Sequence, residues 1–454
     1  MYPEKTSTST PTSGGFMQSN TFRLVLIGVL TLVLLIPLLF VQNLVGERKE
    51  RQREVINEID SKWGGAVFVY APILKIPYKV YKDKGKNTYE EQYAYFFPEE
   101  LKSTSDVKTE VKKRNNYESV VFNASMNFSG NFSTPDFSTK GIPNEDISWD
   151  KATILIRTTN LASIKNVVSI HLGNKDYSFE PIYNQQENES NYYSNTNDEV
   201  SSNLISSLET SFINYQEFLA NPTFSFTLQY DGSKKLAIVP IGKTTESTLT
   251  SNWANPSFTG NFLPYDKQIS ANGFTASWKV LHINRPFSQQ SFGSLPNIAQ
   301  YTYEVDFIIP VDEYQQNERV AKYGYLVIFL TFLIFFLIQS ISKIKIHIFQ
   351  YSMIGLALIL FYTLLISITE HSSFSFAYFI SSVMTVGLIS LYSVSILKNK
   401  KFPTFIGLSL AALYGFIYVI IQLENYALLV GSIGLFVILA IIMYVSRKVD
   451  WESK

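Results

Sequence analysis

The residues that could do chemistry in this sequence are few and lie near its C-terminal end. Glu370 and His371 are adjacent, and Glu424 is the only other carboxylate between Glu318 and Asp450. All three fall between apolar runs rather than inside them. Ionisable groups at the ends of membrane helices can form proton or substrate sites, so these three residues are candidate functional residues. The alternative is that they are hydrated turn residues that help the chain to leave the bilayer.

The other chemically suggestive residues lack the spacing that a site requires. The chain has four histidines, and no two of them lie four positions apart, so no metal site is expected. Gly242-Lys243-Thr244 ends like a phosphate-binding loop, but Ala237 stands where that loop needs its first glycine. The lack of cysteine excludes thiol catalysis, thiolate metal sites and a disulfide framework. We therefore expect no cofactor, and the sequence does not predict an enzyme.

Six stretches of the chain are long and apolar enough to span a membrane. Five of them occupy the last third of the chain, with about 17–24 residues each. At about 1.5 Å of rise per residue, such a helix crosses a hydrocarbon core of about 30 Å. The remaining run, Leu24–Val45, has no charge and no small-residue cleavage pattern after it, so we expect an uncleaved anchor rather than a signal peptide. The five C-terminal runs are Tyr325–Ile341, Phe349–Ile368, Phe374–Leu397, Thr404–Leu423 and Tyr426–Ser446.

Between the first run and the other five, the pattern changes to that of strands. From Ala66 to about Ile309, short runs of β-branched and aromatic residues, many of them alternating, are bounded by turn residues. Asn123–Ser133 shows the alternation clearly, with a polar residue at every second position. The predicted fold class is a membrane protein with six transmembrane α-helices and a large mainly-β extracytoplasmic domain between helix 1 and helix 2.

Two local features are expected within this β region. Asp231-Gly232, between the runs Thr223–Tyr230 and Lys235–Val239, predicts a tight hairpin, because Asp-Gly readily adopts the positive φ of such turns. A helix is expected over about Asn203–Ala220, after a long polar loop, Asn184–Asn203.

The segment that follows the first run predicts a helical stalk. Glu47–Lys62 is rich in strong helix formers, and Gly64-Gly65 provides a stop signal. Val55, Ile59 and Trp63 lie at helical spacing, and we expect this stripe to pack against apolar residues of the β domain. The charges of the stalk are expected to form a solvated face, with a partner-binding surface as the alternative.

These patterns together divide the chain into six segments. In order, they are a disordered cytoplasmic tail (1–22), transmembrane helix 1 (23–45), the stalk (46–65), a periplasmic mainly-β domain (66–323), a five-helix transmembrane domain (324–447) and a cytoplasmic tail (448–454).

The distribution of basic residues predicts the threading. Lys and Arg follow every second run, whereas the turns Thr369–Ser373 and Glu424-Asn425 contain neither. By the positive-inside rule, both termini then lie in the cytoplasm and the β domain lies outside. Arg48, Lys49, Arg51 and Arg53 oppose this assignment, but large domains translocate largely regardless of charge. The supporting residues are Lys343, Lys345, Lys398, Lys400, Lys401, Arg447 and Lys448.

The partners predicted from charge are limited. The chain has 38 basic and 38 acidic residues, so its formal net charge is zero. A nucleic-acid-binding protein needs a basic face that displaces counterions, so nucleic acid is not an expected partner. The lipid bilayer is the one partner that the apolar runs themselves require.

Several segments, from about residue 22 to the end, resemble a known family in residues, order and spacing. They include Gly46-Glu47-Arg48, Lys62-Trp63-Gly64-Gly65, Pro72–Tyr78, Trp253–Pro264, Gly273–Trp278, Pro310–Tyr314, Thr369-Glu370-His371, Tyr414–Tyr418, Gln422–Leu429 and Arg447–Trp451. These segments resemble the CreD family, bacterial inner-membrane proteins linked to cell-envelope integrity. The resemblance implies a Gram-negative-type inner membrane and a role in envelope maintenance, and it implies no catalytic residues. The chain departs from the family at Thr159–Ile164, where an Asp-Leu-Arg-Gly-like turn is expected, and at Val67 and Ala71.

Three functional classes are compatible with these observations. The first is an envelope protein whose exported β domain binds another envelope protein or envelope component, and this is the reading that we favour. The second is a transporter or channel, although the spans lack the buried charges and interrupted helices that transport sites usually need. The third is a membrane enzyme acting on envelope lipid or glycan, for which Glu370, His371 and Glu424 would be the site.

Overall fold

The computed structural model describes residues 20–83, 88–114, 116–182, 205–309, 313–342, 344, 346–397, 401–423 and 426–447. Within these residues the chain forms two compact units. The helical unit contains the described residues up to Arg53 and those from Glu313 onward, and the β unit contains those from Glu54 to Ile309. Residues 1–19 of the predicted N-terminal tail, the predicted loop Asn184–Asn203 and the predicted tail 448–454 lie outside the described residues.

Six helices in the described chain are long and apolar enough to cross a membrane, which confirms the six predicted spans. The first continues without a break through Pro37, so the predicted anchor and stalk form one helix of 43 residues. The helices of this unit are α1 (Asn20–Lys62), α3 (Glu313–Lys322), α4 (Gly324–Ser342), α5 (Ile348–Thr369), α6 (Phe374–Leu397), α7 (Lys401–Gln422) and α8 (Ala427–Ser446).

Helix α1 packs in the helical unit through one narrow stripe. The buried residues of this stripe recur at steps of seven, four, three and four, which is the spacing of a helix–helix seam. Gly324 on α4 and Gly355 on α5 face the stripe: a Cβ added at Gly355 would lie 2.2 Å from a methyl carbon of Leu34. Small residues at these two positions therefore allow α1 to approach closely. The buried stripe consists of Ile27, Leu34, Leu38, Val41 and Val45.

The described part of the β unit confirms the mainly-β prediction. It contains 16 strands in one continuous hydrogen-bonded order, β12-β16-β10-β1-β5-β8-β7-β6-β9-β4-β3-β11-β14-β13, with β2 paired to β1 and β15 paired to β2. The elements are β1 (Val67–Asp83), β2 (Thr88–Phe96), β3 (Glu100–Arg114), β4 (Tyr117–Asn131), β5 (Thr153–Thr158), β6 (Ser169–Leu172), β7 (Lys175–Ile182), β8 (Ser206–Thr210), α2 (Tyr215–Ala220), β9 (Thr223–Ser233), β10 (Lys235–Ile238), β11 (Thr244–Ser251), β12 (Pro256–Gly260), β13 (Asp266–Ser270), β14 (Gly273–Leu281), β15 (Gln290–Phe292) and β16 (Tyr303–Phe307).

Strand β7 divides this order into two sheets. Its first half, Lys175–Ser178, pairs with β6, and its second half, Phe179–Ile182, pairs with β8. The first sheet comprises β12-β16-β10-β1-β5-β8 with β2 and β15, and the second comprises β6-β9-β4-β3-β11-β14-β13.

Both sheets contribute to one hydrophobic core. On β4, Phe122, Ala124, Met126 and Phe128 are buried, and the ring of Phe122 lies 5.0 Å from that of Phe307 on β16. The polar residues between them alternate outward, as the sequence pattern predicts. A half-buried pleated surface of this kind is what holds two sheets face to face.

The centre of this core contains a buried tyrosine hydroxyl. The ring of Tyr303 on β16 stacks on Trp278 of β14, with 4.9 Å between centroids. Its hydroxyl oxygen lies 2.6 Å from the hydroxyl of Ser247 and 3.2 Å from that of Ser103. Burial raises the pKa of Tyr303 to about 12, so its hydroxyl keeps its proton and its partners satisfy it.

Two local predictions for the β region are wrong. Asp231-Gly232 lies inside β9, which pairs with β4 and β6, whereas β10 pairs with β1 and β16, so no hairpin forms there. The glycine is needed for space rather than for a turn: a Cβ at Gly232 would lie 2.5 Å from the ring of Phe122 and 2.6 Å from a methyl group of Val67. Packing against Phe122 and Val67 therefore decides the conformation of Asp231-Gly232, although this dipeptide favours a tight turn.

The helix expected over Asn203–Ala220 is shorter than predicted. Strand β8 occupies Ser206–Thr210, and only Tyr215–Ala220 is helical. Asn214 caps this short helix, because its side-chain oxygen accepts hydrogen bonds from the backbone N–H groups of Gln216 and Glu217. Pairing of β8 with β5 and β7 determines the conformation of the preceding segment.

The end of α1 confirms the predicted glycine stop. Gly64 and Gly65 have φ angles of +93° and +66°, and the N–H of Gly65 donates to the carbonyl of Asp60 at 2.8 Å. This is the six-to-one hydrogen bond of a Schellman motif. The chain then turns into β1.

The apolar stripe of the stalk packs as predicted against the β domain. Val55 and Ile59 are buried against Val121 on β4, and Trp63 and Tyr117 pack at the edge of the same cluster. The C-terminal part of α1 is therefore fixed to the second sheet by side-chain packing.

The prediction that the stalk charges only face solvent is wrong for part of the stalk. Asp60 is 6% exposed, accepts a hydrogen bond from the hydroxyl of Ser119 at 2.6 Å and pairs with Lys234 at 2.5 Å. Glu58 pairs with Arg114 at the end of β3. A buried carboxylate is tolerated only when it is paired in this way, so Asp60 fixes where the helix docks.

The turn Thr159–Ile164, where the resemblance led us to expect an Asp-Leu-Arg-Gly-like turn, contacts the segment that follows α1. The hydroxyl of Thr159 donates to the carbonyl of Ala66 at 3.0 Å and accepts from the N–H of Phe68 at 3.1 Å. Asn160 has a φ of +44° and donates from its side chain to the carbonyl of Gly64 at 2.8 Å. This turn therefore positions the entry of the chain into β1.

We expect Gly64→Ala to destabilise the protein more than Gly141→Ala. Both glycines have positive φ, which costs alanine on the order of 1–2 kcal/mol. Only at Gly64 would the new Cβ meet fixed atoms, since the carbonyl oxygen of Asp231 lies 2.7 Å away, whereas Gly141 has open space. The midpoint of thermal unfolding of the full-length protein in detergent, read by tryptophan fluorescence, measures the difference. Equal shifts in the two variants would contradict this account.

Candidate functional site

Glu370 and His371 lie at the C-terminal end of α5. The backbone N–H of Glu370 donates to the carbonyl of Ile366 at 3.1 Å, so Glu370 closes the helix. Its carboxylate lies 3.2 Å from Nε of Arg48 on α1, and the two side chains are 23% and 45% exposed. His371 is exposed, and Glu424 lies outside the described residues. The structure therefore gives Glu370 a partner that the sequence analysis did not identify.

A second ion pair lies next along α1. The ammonium group of Lys49 donates to the carboxylate of Glu318 on α3 at 2.8 Å, and Lys322 pairs with the other oxygen of that carboxylate at 2.7 Å. About two helical turns earlier on α1, the side chain of Gln42 donates to the carbonyl of Ala321 at 3.1 Å. These contacts bind α3 to α1.

The two ion pairs are together called the outer clamp, after the side of the membrane that the predicted threading gives them, and consist of Arg48 and Lys49 of α1, Glu318 of α3 and Glu370 of α5. Because Arg48 follows the apolar part of α1 and Glu370 follows α5, both helices run in the same direction in the bundle. This agrees with a chain that crosses the membrane once between them, through α4, as predicted from the six runs.

The chemistry of the outer clamp is that of a structural contact. A carboxylate at a helix C-terminus lies against the negative end of the helix dipole, which is unfavourable unless a cation compensates it. The Arg48 guanidinium supplies that compensation for Glu370. Partly exposed ion pairs contribute about 0–1 kcal/mol each, so the clamp positions helices more than it stabilises them.

Hydrogen bonds within the helical bundle join neutral groups. The hydroxyl of Tyr351 donates to Oε1 of Gln339 at 2.9 Å, and the hydroxyl of Tyr378 donates to the backbone carbonyl of Tyr414 at 2.8 Å. No Asp or Glu occurs in the sequences of α4, α5, α6, α7 or α8. These interior contacts are typical of helix packing in lipid.

The β unit carries a second candidate site, on the outer face of the second sheet. Outward-pointing side chains of β4 and β9 are small and uncharged there: Asn127 lies opposite Thr227, and Ser129 lies opposite Ser225. The hydroxyl of Thr227 donates to the side-chain oxygen of Asn127 at 2.8 Å. Across β4, Thr104 on β3 continues the same row.

This face is shaped into a depression that we call the polar trough, with a volume of about 410 Å³. Asn166 forms one wall, because its side chain accepts from the N–H of Gln229 at 2.8 Å and donates to the carbonyl of Thr227 at 2.9 Å. The next residue, Val167, is 86% exposed at the rim. The trough is lined by Thr104, Asn127, Phe128, Ser129, Asn166, Val167, Ser169, His171, Asp176, Ser225, Phe226 and Thr227.

A histidine–aspartate pair lies in the polar trough. Nδ1 of His171 is 2.7 Å from Oδ1 of Asp176, its cross-strand neighbour in the β6–β7 hairpin. Since an ionised carboxylate only accepts, Nδ1 is the donor in this pair. Ser225 lies opposite His171 on β9, but no hydrogen bond joins its hydroxyl to the imidazole in the described structure.

Sequence reasoning did not identify the polar trough, although signals for it were present. The alternation in Asn123–Ser133 predicts a polar outer face on β4, and Thr223, Ser225 and Thr227 alternate in the same way on β9. His171 and Asp176 flank a Gly-Asn turn, which makes them cross-strand neighbours. What the sequence did not predict is that β4, β9 and β6 are adjacent in the sheet.

We expect Arg48→Ala to destabilise the helical unit more than the double variant Arg48→Ala, Glu370→Gln. The single change leaves a half-buried carboxylate unpaired at a helix C-terminus, whereas the double change removes it. The expected difference is about 1 kcal/mol or less, read from thermal unfolding in detergent. His371→Ala, which changes an exposed side chain, is the control and should have no effect. A double variant less stable than Arg48→Ala would refute the compensating role of Arg48.

Comparison with known families and proteins agrees with the sequence resemblance. A family model described as Inner membrane protein CreD matches residues 19–452 of the chain. The Inner membrane protein CreD of Escherichia coli (strain K12) is 27% identical over 431 residues, which cover 93% of this chain and 91% of that protein. With six membrane-spanning helices and nearly its whole length matched, this chain is a multi-pass inner-membrane protein that belongs to the CreD family.

Proposed function

We propose that this protein supports cell-envelope integrity by binding another envelope protein or envelope component through its β domain, and that it is not an enzyme. The observation that carries the proposal is the polar trough on the outer face of the second sheet. Its side chains offer many hydrogen-bond donors and acceptors and little charge, in an arrangement held by strand register. A surface of this kind suits recognition by hydrogen bonds more than it suits catalysis.

The proposed threading puts both termini in the cytoplasm and the β domain in the periplasm. It rests on the basic residues after every second span. Arg48 and Lys49, which oppose this assignment, are engaged in ion pairs with Glu370 and Glu318 of the helical unit. Their retention on the outer side therefore has a structural reason, because they complete the outer clamp.

A hydrolytic activity is the second candidate, and the His171–Asp176 pair is the observation that favours it. An imidazole oriented by a carboxylate is the arrangement that activates a serine nucleophile in many hydrolases. Ser225 lies opposite His171, but both members of the His–Asp pair are largely exposed, with side-chain exposures of 53% and 73%. A catalytic pair is usually shielded from water, so binding is the favoured function.

The threading predicts where reporter fusions will be active. Fusions that report a cytoplasmic location should be active after Lys400 and at Lys454, and inactive near Asn188, because Lys400 and Lys454 fall on the basic side of the spans. A cytoplasmic signal near Asn188 would refute the threading and with it the envelope function.

The binding function predicts that blocking the polar trough abolishes activity while the protein still accumulates. Thr227→Lys and Asn127→Lys introduce long charged side chains at outward positions of β9 and β4, so the core beneath them is unaffected. Cells with either variant should become sensitive to envelope stress at normal protein levels, as judged by growth and immunoblotting. Glu90→Lys, on an exposed position of β2 in the first sheet, is the matched control and should behave as wild type.

Crosslinking in cells then identifies what the trough contacts. A photoreactive residue at Thr227 should capture an envelope component, and the same residue at Glu90 should not. Equal capture at both positions would contradict a specific role for the trough. His171→Gln separates the two candidates: a binding function tolerates it partly, because glutamine keeps a donor and an acceptor, whereas hydrolysis would be lost completely.

A further inference from the structure

The helical unit contains a long apolar groove between three of its helices. Helix α7 forms the floor, and α4 and α8 form the two walls. The groove has a volume of about 750 Å³. It runs from Leu330 to Ile341 on α4, from Lys401 to Phe416 on α7 and from Gly434 to Val445 on α8.

The depth of the groove matches one leaflet of a bilayer. The stretch from Leu330 to Ile341 covers 11 residue steps, or about 16 Å at about 1.5 Å per residue. Half of a hydrocarbon core of about 30 Å is about 15 Å. The groove therefore extends from the end of the bundle that carries Lys401 to about the middle of the membrane.

The shape of the walls favours an acyl chain over a protein helix. The wall on α4 consists of Leu and Ile side chains, and Phe402 and Phe405 project from α7. Close packing of membrane helices needs small residues on both surfaces in contact. The small residues Ser409 and Ala412 lie on α7, between the bulky side chains of the walls, and Gly434 on α8 is already covered by the ring of Phe416. An acyl chain, which is narrow and flexible, fits between bulky side chains.

Cations lie at the open end of the groove. Lys401 is part of its lining, and Arg447 follows the last lining residue of α8, Val445, by two positions. Basic residues at the membrane surface attract anionic lipid headgroups, and basic pockets between transmembrane helices bind them specifically. Charge and shape thus point to the same occupant.

We propose that the groove between α4, α7 and α8 is a binding site for an anionic phospholipid of the leaflet at the Lys401 end. One acyl chain lies along the groove, and Lys401 contacts the phosphate, with Arg447 nearby. Helix α8 presents no buried residue to the other helices, so the lipid also completes its packing. The site requires neither the proposed envelope function nor a particular orientation of the protein in the membrane.

The test uses full-length protein, delipidated in detergent and titrated with phosphatidylglycerol or with phosphatidylcholine of the same acyl chains. Phosphatidylglycerol should raise the midpoint of thermal unfolding at lower concentration than phosphatidylcholine. Lys401→Gln should weaken the apparent affinity for phosphatidylglycerol about fivefold, and Lys401→Arg should retain it. Lys322→Gln, which removes an ion pair with Glu318 but changes no residue of the groove, is the matched control and should leave the apparent affinity for phosphatidylglycerol unchanged.

A second variant tests the groove itself. Ala412→Phe places a ring in the floor of the groove and should abolish the shift with both lipids, while Lys401→Gln affects only the anionic one. Equal affinities of the wild-type protein for the two lipids would overturn the proposal, as would unchanged binding in Lys401→Gln. Crosslinking of cysteines introduced at Leu337 and Ile441 between two copies of the chain would show that a second copy, not lipid, fills the groove, and would also overturn it.

Discussion

The pairing of charges along helix α1 is the constraint on which the rest of this structure depends. Arg48 and Lys49 pair with Glu370 and Glu318 in the helical unit, and Asp60 pairs with Lys234 in the β unit. Asp60 is buried, so breaking its pair costs much more than forming it contributes, whereas the partly exposed Arg48 and Lys49 pairs contribute about 0–1 kcal/mol each. Within the helical unit the pairs position the first part of α1, and within the β unit Asp60 positions its last part, while apolar stripes in each part supply most of the stabilisation.

Within the β unit, one side of each strand builds the core and the other side remains available for recognition. Phe122, Met126 and Phe128 of β4 enter the core, and Asn127 and Ser129 between and beside them line the polar trough. Both properties follow from the two-residue period of a strand. A shift of the strand register by one residue would turn the apolar side chains outward and the polar side chains inward. The register that buries the core therefore also places the polar residues in the trough.

The turn Thr159–Ile164, where the family resemblance led us to expect a different motif, occupies a position that matters structurally. This turn holds the segment after α1 through Thr159 and Asn160. Asn is among the few residues that adopt positive φ readily, and the Asn160 side chain donates to the carbonyl of Gly64.

Much of this protein was determined by local sequence. The six spans follow from the length of apolar runs, the stalk and its stop follow from helix formers and Gly64-Gly65, and the β region follows from strand periodicity. These features depend on the solvent that each residue faces and on backbone propensity, and both act over short stretches of chain.

Only the tertiary structure decided the remainder, because it depends on residues far apart in sequence. The Asp231-Gly232 dipeptide is a good turn signal, yet the space between Phe122 and Val67 made it part of a strand. Glu370 was recognisable as unusual, but its partner lies 322 positions earlier, at Arg48. Likewise, the polar trough exists because β4, β9 and β6 are adjacent in the sheet. The apolar groove exists because α4, α7 and α8 are neighbours in the helical unit. Local propensities do not specify such neighbours, since long-range packing selects among arrangements that they permit equally.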